Sequence, residues 1–132
     1  DEEAEPSIVA VANVQHLSTR LEGQLSDPVA SVLDLVGALH PTPAVGGMPR
    51  DAALKLIAEL ESLDRGRFAG PVGWVDAEGN GTWAVGIRSA QIDGTRTRIH
   101  AGVGVVANSQ PEQELAETRA KLQTMLGAII RP

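Results

Sequence analysis

The chain has no cysteine and no tyrosine, and its aromatic residues are Phe68, Trp74 and Trp83 alone among 132 residues. Without cysteine there are neither disulfides nor thiolate metal sites, a usage that fits a reducing compartment. So few aromatics leave a core of aliphatic side chains and alanine. Basic charge is also short: 11 Lys+Arg against 17 Asp+Glu give a net charge of −6. With no basic stripe either, nucleic acid is not an expected partner. No apolar run approaches a membrane span, and "DEEAEPSIVAVANV" is acidic where a signal peptide is basic. The expectation is a soluble cytoplasmic chain with no membrane partner. Its length suits about one domain, and no repeat or low-complexity segment interrupts it.

What is present alternates in period. Residues 8 to 15, "IVAVANVQ", are β-branched and short and predict a strand. In "SDPVASVLDLVGAL", Asp27 can cap and Pro28 suits a first turn, predicting a helix over about 28–39. "HPTPAVGGMP" holds three prolines and two adjacent glycines and reads as a shaped loop. "PRDAALKLIAELESL" places Ala53, Leu54, Ile57 and Leu60 at helical spacing and ends near "DRGR". The period then becomes two. "FAGPVGWV" and "GTWAVGIRSA" read as strands joined by the hairpin signal "DAEGNG", and "IDGTR" turns into a third strand, "TRIHAGVGVVA". A last helix, from about Pro111 to Ile130, should bury Leu115, Leu122, Met125, Leu126 and Ile129. The order β, α, α, β, β, β, α predicts an α+β fold with helices packed on one face of an antiparallel meander.

On a wheel turning about 100 degrees per residue, Glu114 at zero puts Glu117 at about 300, Lys121 at about 340 and Met125 at about 20 degrees. Carboxylates flanking a buried stripe need a cation or donors. Lys121 is one candidate and a divalent ion another, with hard oxygen ligands favouring magnesium over zinc. The same spacing equally describes a solvated ion-pair face. Gly102 and Gly104, two apart in the expected strand, strip side chains from one face, so backbone N–H groups could meet an anion; a packing bulge is the other account. Arg88, among apolar residues, could serve an anion or face solvent. His16, after the first strand, could donate to a ligand or cap a loop. No Ser/His/Asp or Cys/His arrangement is present, and no phosphate-loop pattern.

Taken in order, "VQHL", "LHPTPAVGGMPRDAA", "FAGPVGWVDAEGNGTWAVGIRSA" and "AGVGVVANSQPEQELAETRAKL" resemble successive blocks of the C-terminal part of the chorismate-utilising enzymes, most closely isochorismate synthases. The resemblance runs from about residue 8 to residue 129. It implies that residues 1–132 form the C-terminal part of a chorismate-binding α/β sandwich, the anthranilate synthase component I-like fold, with the upstream part absent. It also implies chorismate and isochorismate as ligands, Mg²⁺ as cofactor, and an isomerase that adds water at C2 while the C4 hydroxyl leaves. Isochorismate of this kind feeds siderophore, menaquinone or salicylate formation.

Carried over by the resemblance, Glu117 matches a magnesium-binding glutamate, and Glu114 the acidic residue that supports it. Lys121 matches a lysine near the substrate carboxylates. Arg88 matches the arginine that pairs with the enolpyruvyl carboxylate, and Gly102 the glycine whose amide assists it, with Gly104 on the same bare segment. Phe68 stands near that side chain, and His16 near the reacting ring oxygen in a supporting catalytic role. Ala44 stands where salicylate-forming relatives have threonine and aminodeoxychorismate synthases a lysine, so it favours hydration. The family's lysine base, glutamate acid and other magnesium-binding glutamate belong to blocks upstream of "VQHL", and "DEEAEP" matches none of them. The chain alone is therefore expected to be inactive, to need the upstream portion of the same polypeptide, and to self-associate in isolation. Two alternatives stand beside isochorismate synthesis. One is a non-catalytic remnant that binds chorismate-like dicarboxylates or a protein partner. The other is a different chorismate-utilising activity: salicylate, anthranilate or aminodeoxychorismate synthase.

Overall fold

The structure, a computed structural model of the chain, describes residues 6–11 and 14–130, apart from the side chains at 11 and 14–16. The chain divides into two compact units, Asp1–Ala30 and Ser31–Pro132.

In the first unit, β1 (Ser7–Val11) pairs antiparallel with β2 (Val14–Ser18), Ile8 opposite Leu17 and Val9 opposite His16. The single strand expected over 8–15 is thus a hairpin. The second strand takes in Leu17 and Ser18, beyond the apolar stretch that predicts one strand, and so the pairing reaches further than the period alone shows.

The second unit opens with α1 (Val32–Leu39), four residues later than the Asp27 cap predicts. Ser31 is the N-cap instead. Its Oγ accepts from the Asp34 amide at 3.3 Å while its own N–H donates to Asp34 Oδ2 at 2.9 Å, a reciprocal capping box. The Val32 N–H donates to the Gly79 carbonyl at 2.8 Å, fastening the first turn to the hairpin beyond. These partners satisfy donors that Asp27 would leave open, so the helix starts where they are. One short turn, α2 (Pro43–Gly46), breaks the expected loop, and α3 (Arg50–Leu60) follows as predicted. Gly47 joins them with φ 75°, and a Cβ there would lie 2.6 Å from Ala53 Cβ. Only glycine allows that approach.

β3 (Pro71–Val75) and β4 (Gly81–Val85) form the expected hairpin, with Trp74 opposite Thr82 and Gly73 opposite Trp83. Helix α1 packs against both strands. β5 (Ala90–Asp93) and β6 (Arg96–Ile99) make a separate hairpin through Gly94, φ 57°. Among the described residues there is therefore no three-stranded meander. The reason lies at 86–88. The Gly86 N–H donates to the Gly70 carbonyl at 2.7 Å, and Arg88 takes φ 49°, a left-handed conformation that ends a strand. The antiparallel pairing and the α+β class stand; the single sheet does not.

β6 stops at Ile99, so Gly102 and Gly104 lie in irregular chain and not in a strand. Nothing comes within 4 Å of a Cβ built on either, which removes the packing-bulge account among the described residues. Helix α4 (Pro111–Ile130) has the predicted bounds and part of the predicted face. Leu115 and Ile129 are exposed, while Leu122, Met125 and Leu126 of the expected stripe are half-covered, together with Glu114, Thr118, Lys121 and Thr124. Of the charged trio, Glu114 and Lys121 lie on the half-covered side and Glu117 is exposed.

The buried residues among those described are Gly46 and Ala69. The expected aliphatic core is thus not assembled: Val72 and Trp74, on one face of β3, are 60% and 58% exposed. A two-stranded hairpin covered by one short helix has too little apolar area to close over them.

Candidate functional site

Helix α4 carries Glu117 and Lys121 one turn apart, and their side chains meet, Lys121 Nζ lying 2.6 Å from Glu117 Oε1. Lys121 also donates to the Gly102 carbonyl at 3.1 Å. The lysine is 22% exposed and the glutamate 56%, so the pair sits at the margin of solvent, where such a contact adds little stability. Its effect is to fix the 101–102 segment against the helix. Glu114, one turn earlier, shares the half-covered line, and its carbonyl accepts from Thr118 Oγ1 at 2.9 Å.

Two residues before Gly102, the His100 imidazole stacks on Phe68, with ring centroids 5.2 Å apart and planes at 21°. Phe68 is held in turn by its own N–H, which donates to the Arg65 carbonyl at 2.8 Å. The next residue, Ala69, with φ 63°, donates to the Gly86 carbonyl at 2.9 Å. Gly86 is so close that a Cβ there would meet the Gly70 and Arg67 carbonyl oxygens at 3.1 and 3.3 Å. The Phe68 segment and the end of β4 are thereby locked together, two residues short of Arg88, whose Nε is buried.

The Arg65 side chain extends the arrangement in the other direction. Its Nε and Nη2 hold both oxygens of Glu61, at 2.7 and 2.5 Å, while Nη1 donates to the Val45 carbonyl at 3.1 Å. These hydrogen bonds hold the Glu61 carboxyl below its ordinary range against a smaller opposing effect of burial, and they raise the guanidinium. Val45 follows Ala44, which is exposed on α2. Contacts joined by short stretches of chain thus run from Val45, next to Ala44, through Arg65, Phe68 and His100, and from Gly102, two residues on, through Lys121 to Glu117.

Arg65, Phe68 and His100 also border a cavity of about 730 Å³, completed by Trp83, Ser89 and Gln91 among others. That volume suits a small organic ligand. Ala44, Arg88, Gly102, Gly104, Glu114, Glu117 and Lys121 do not line it. The His16 side chain and the acidic end at Asp1, Glu2, Glu3 and Glu5 lie outside the described residues. Arg65 and His100 were not among the sequence candidates. Arg65 did carry a signal, an arginine four residues after Glu61 just past a helix end, whereas a lone His100 carries none.

The family model described as "Chorismate binding enzyme" matches residues 1–130. The chain belongs to the chorismate-binding enzyme family. It is 50% identical over 123 residues to the vibriobactin-specific isochorismate synthase of Vibrio cholerae, covering 93% of this chain and 31% of that protein. To isochorismate synthase DhbC of Bacillus subtilis it is again 50% identical, over 94% of this chain and 31% of the relative. A crystal structure from Bacillus anthracis, assigned as the 2,3-dihydroxybenzoate-specific isochorismate synthase DhbC, superposes with a TM-score of 0.94 at 47% identity. It covers 98% of this chain and 34% of that one. The chain thus spans about a third of the length of these relatives. As a chorismate-binding family member it has the fold class and the likeness to isochorismate synthases that the block order implied. No helix of the described residues is long and apolar enough to cross a membrane.

Helix α4 carries the carboxylates of Glu114 and Glu117 one turn apart, with Glu117 engaged by Lys121. Mg²⁺ keeps several waters and takes one or two carboxylates plus groups of the substrate. No group of three His, Cys, Asp or Glu that could hold a metal exists among the described residues.

Proposed function

We propose that the whole protein to which this chain belongs is an isochorismate synthase, a soluble cytoplasmic isomerase converting chorismate to isochorismate. Water adds at C2 of the ring, the double bonds shift, and the C4 hydroxyl leaves with a proton as water, so one water enters and one departs. The observation that supports the reading is the set of contacts between Val45, next to Ala44, and Glu117, which gathers carried-over residues from α2, the 66–70 turn, the 100–102 segment and α4.

In this reading the chain's residues bind and orient. Arg88 pairs its guanidinium with the enolpyruvyl carboxylate, a bidentate partner for a planar fork. The Gly102 amide, with no side chain in front of it, donates to the same carboxylate. Lys121 supplies positive charge and holds Gly102 in place. Ala44 presents a methyl group that cannot attack the ring, leaving room for water. Glu117 and Glu114 would hold Mg²⁺, which when bound neutralises the ring carboxylate. The base and acid of the proton transfers belong to the upstream part of the polypeptide.

Incubating the whole protein with chorismate and Mg²⁺ tests the reading. Isochorismate as product supports it; salicylate or anthranilate, or unchanged chorismate, overturns it. We also propose that the 132-residue chain in isolation associates through the exposed face carrying Val72 and Trp74.

A further inference from the structure

The residue through which the line of contacts turns is Arg65, to which the functional reading gives no role of its own. Its guanidinium makes three hydrogen bonds: two, to Glu61, orient the fork, and the third fixes the Val45 carbonyl beside Ala44. Its own backbone carbonyl accepts the Phe68 N–H at 2.8 Å. One residue therefore holds, by side chain and by main chain, two segments that are 20 or more positions apart in the chain and that bear two of the proposed substrate-contacting groups.

The surroundings of each segment leave little freedom except at this tie. Gly46 is buried against Pro41, whose Cγ would lie 2.9 Å from a Cβ added there, and Gly47 rests on Ala53. Arg50 Nη2 donates to the His40 carbonyl at 2.5 Å, fixing the entry to the turn. These contacts join α2 to its immediate neighbours. Among the described hydrogen bonds, the one from α2 to the cavity wall is that from Arg65 to Val45. The Arg65 side chain is 28% exposed, sheltered enough for a charge-assisted bond to hold its geometry.

We infer that Arg65 is a positioning residue that sets the placement of Ala44 relative to Phe68, with Glu61 orienting its fork. The inference rests on the isochorismate synthase reading for its effect on turnover, but not for its effect on the two segments. Lysine at this position keeps the charge and cannot reach Glu61 bidentately and Val45 together.

The test uses the whole protein with Arg65→Lys and, separately, Glu61→Gln. Hydrogen exchange should quicken at both 42–47 and 66–70 in Arg65→Lys. KM for chorismate should rise about tenfold, with kcat changed less. Glu61→Gln should act in the same direction more weakly, since the Val45 bond survives it. A merely structural role would instead lower the melting temperature and leave KM alone. Unchanged exchange at the two segments in both variants, or unchanged KM in both, overturns the inference. If Arg65→Lys does not fold, Glu61→Gln decides by the same two measurements. A wild-type protein that makes no isochorismate defeats the functional reading, and exchange alone then decides whether Arg65 ties the segments.

Discussion

Lys121 reaches back 19 residues along the chain to donate to the Gly102 carbonyl at 3.1 Å, while its Nζ lies 2.6 Å from Glu117. The lysine thus connects the segment proposed to meet the substrate with the carboxylate proposed to meet the metal. Lys121→Gln should cost no more than about 1 kcal/mol of stability, because the pair is partly solvated. KM for chorismate in the whole protein should rise tenfold or more. Melting and steady-state kinetics on one preparation separate the effects, and an unchanged KM would remove Lys121 from the site.

Glycine is needed for opposite reasons at two places. A Cβ at Gly73 would overlap the Thr82 carbonyl and lie 2.7 Å from the Trp83 ring, so Gly73→Ala should destabilise the β3–β4 hairpin by about 1–3 kcal/mol. At Gly102 the space is open. Gly102→Ala should leave stability within about 0.5 kcal/mol yet raise KM, as a methyl group comes between amide and carboxylate. Equal melting losses for both variants would contradict the distinction.

Acid should act through two carboxyl groups. The Arg65 hydrogen bonds lower Glu61 from its ordinary 4.5, and the Ser31 side-chain and backbone bonds lower Asp34 from 3.8. Each is more acidic folded than unfolded, so as pH falls the unfolded chain takes up the proton first. Their stabilisation is complete above those ordinary values and is lost as pH drops through the lower folded ones. Glu61→Gln should flatten the acid limb of melting temperature against pH; an unaltered slope would show that the pair does not titrate with folding.

Chelating divalent cations should abolish isochorismate formation by the whole protein, and added Mg²⁺ should restore it. Glu117→Gln should raise the Mg²⁺ concentration needed for half-maximal activity by tenfold or more, and Glu114→Gln by less. Full activity after chelation would dissociate the carboxylates from metal binding.

The isolated 132-residue chain should form concentration-dependent assemblies in light scattering, and Trp74→Lys should diminish them by placing a charge on the exposed face of β3. A strictly monomeric, cooperatively melting species would count against association.

The sequence by itself determined the elements whose signals are local. Helix α4 keeps its predicted bounds, α3 begins beside Pro49, and "DAEGNG" closes the β3–β4 hairpin, where Asp76 Oδ1 accepts from the Glu78 and Asn80 amides at 3.0 and 2.8 Å. The order of its blocks pointed to chorismate-binding enzymes and named Glu117, Lys121, Phe68 and Ala44 together. Tertiary structure alone decided what depends on partners distant in the chain. Gly79 and the Ser31 box moved the start of α1, the Gly86–Gly70 bond and left-handed Arg88 split the expected meander, and Gly102 met Lys121 on the half-covered side of α4. Periodicity reports which face a residue occupies but not what stands opposite it. That is why His100 on Phe68 and Arg65 on Val45 became visible only once the chain was folded.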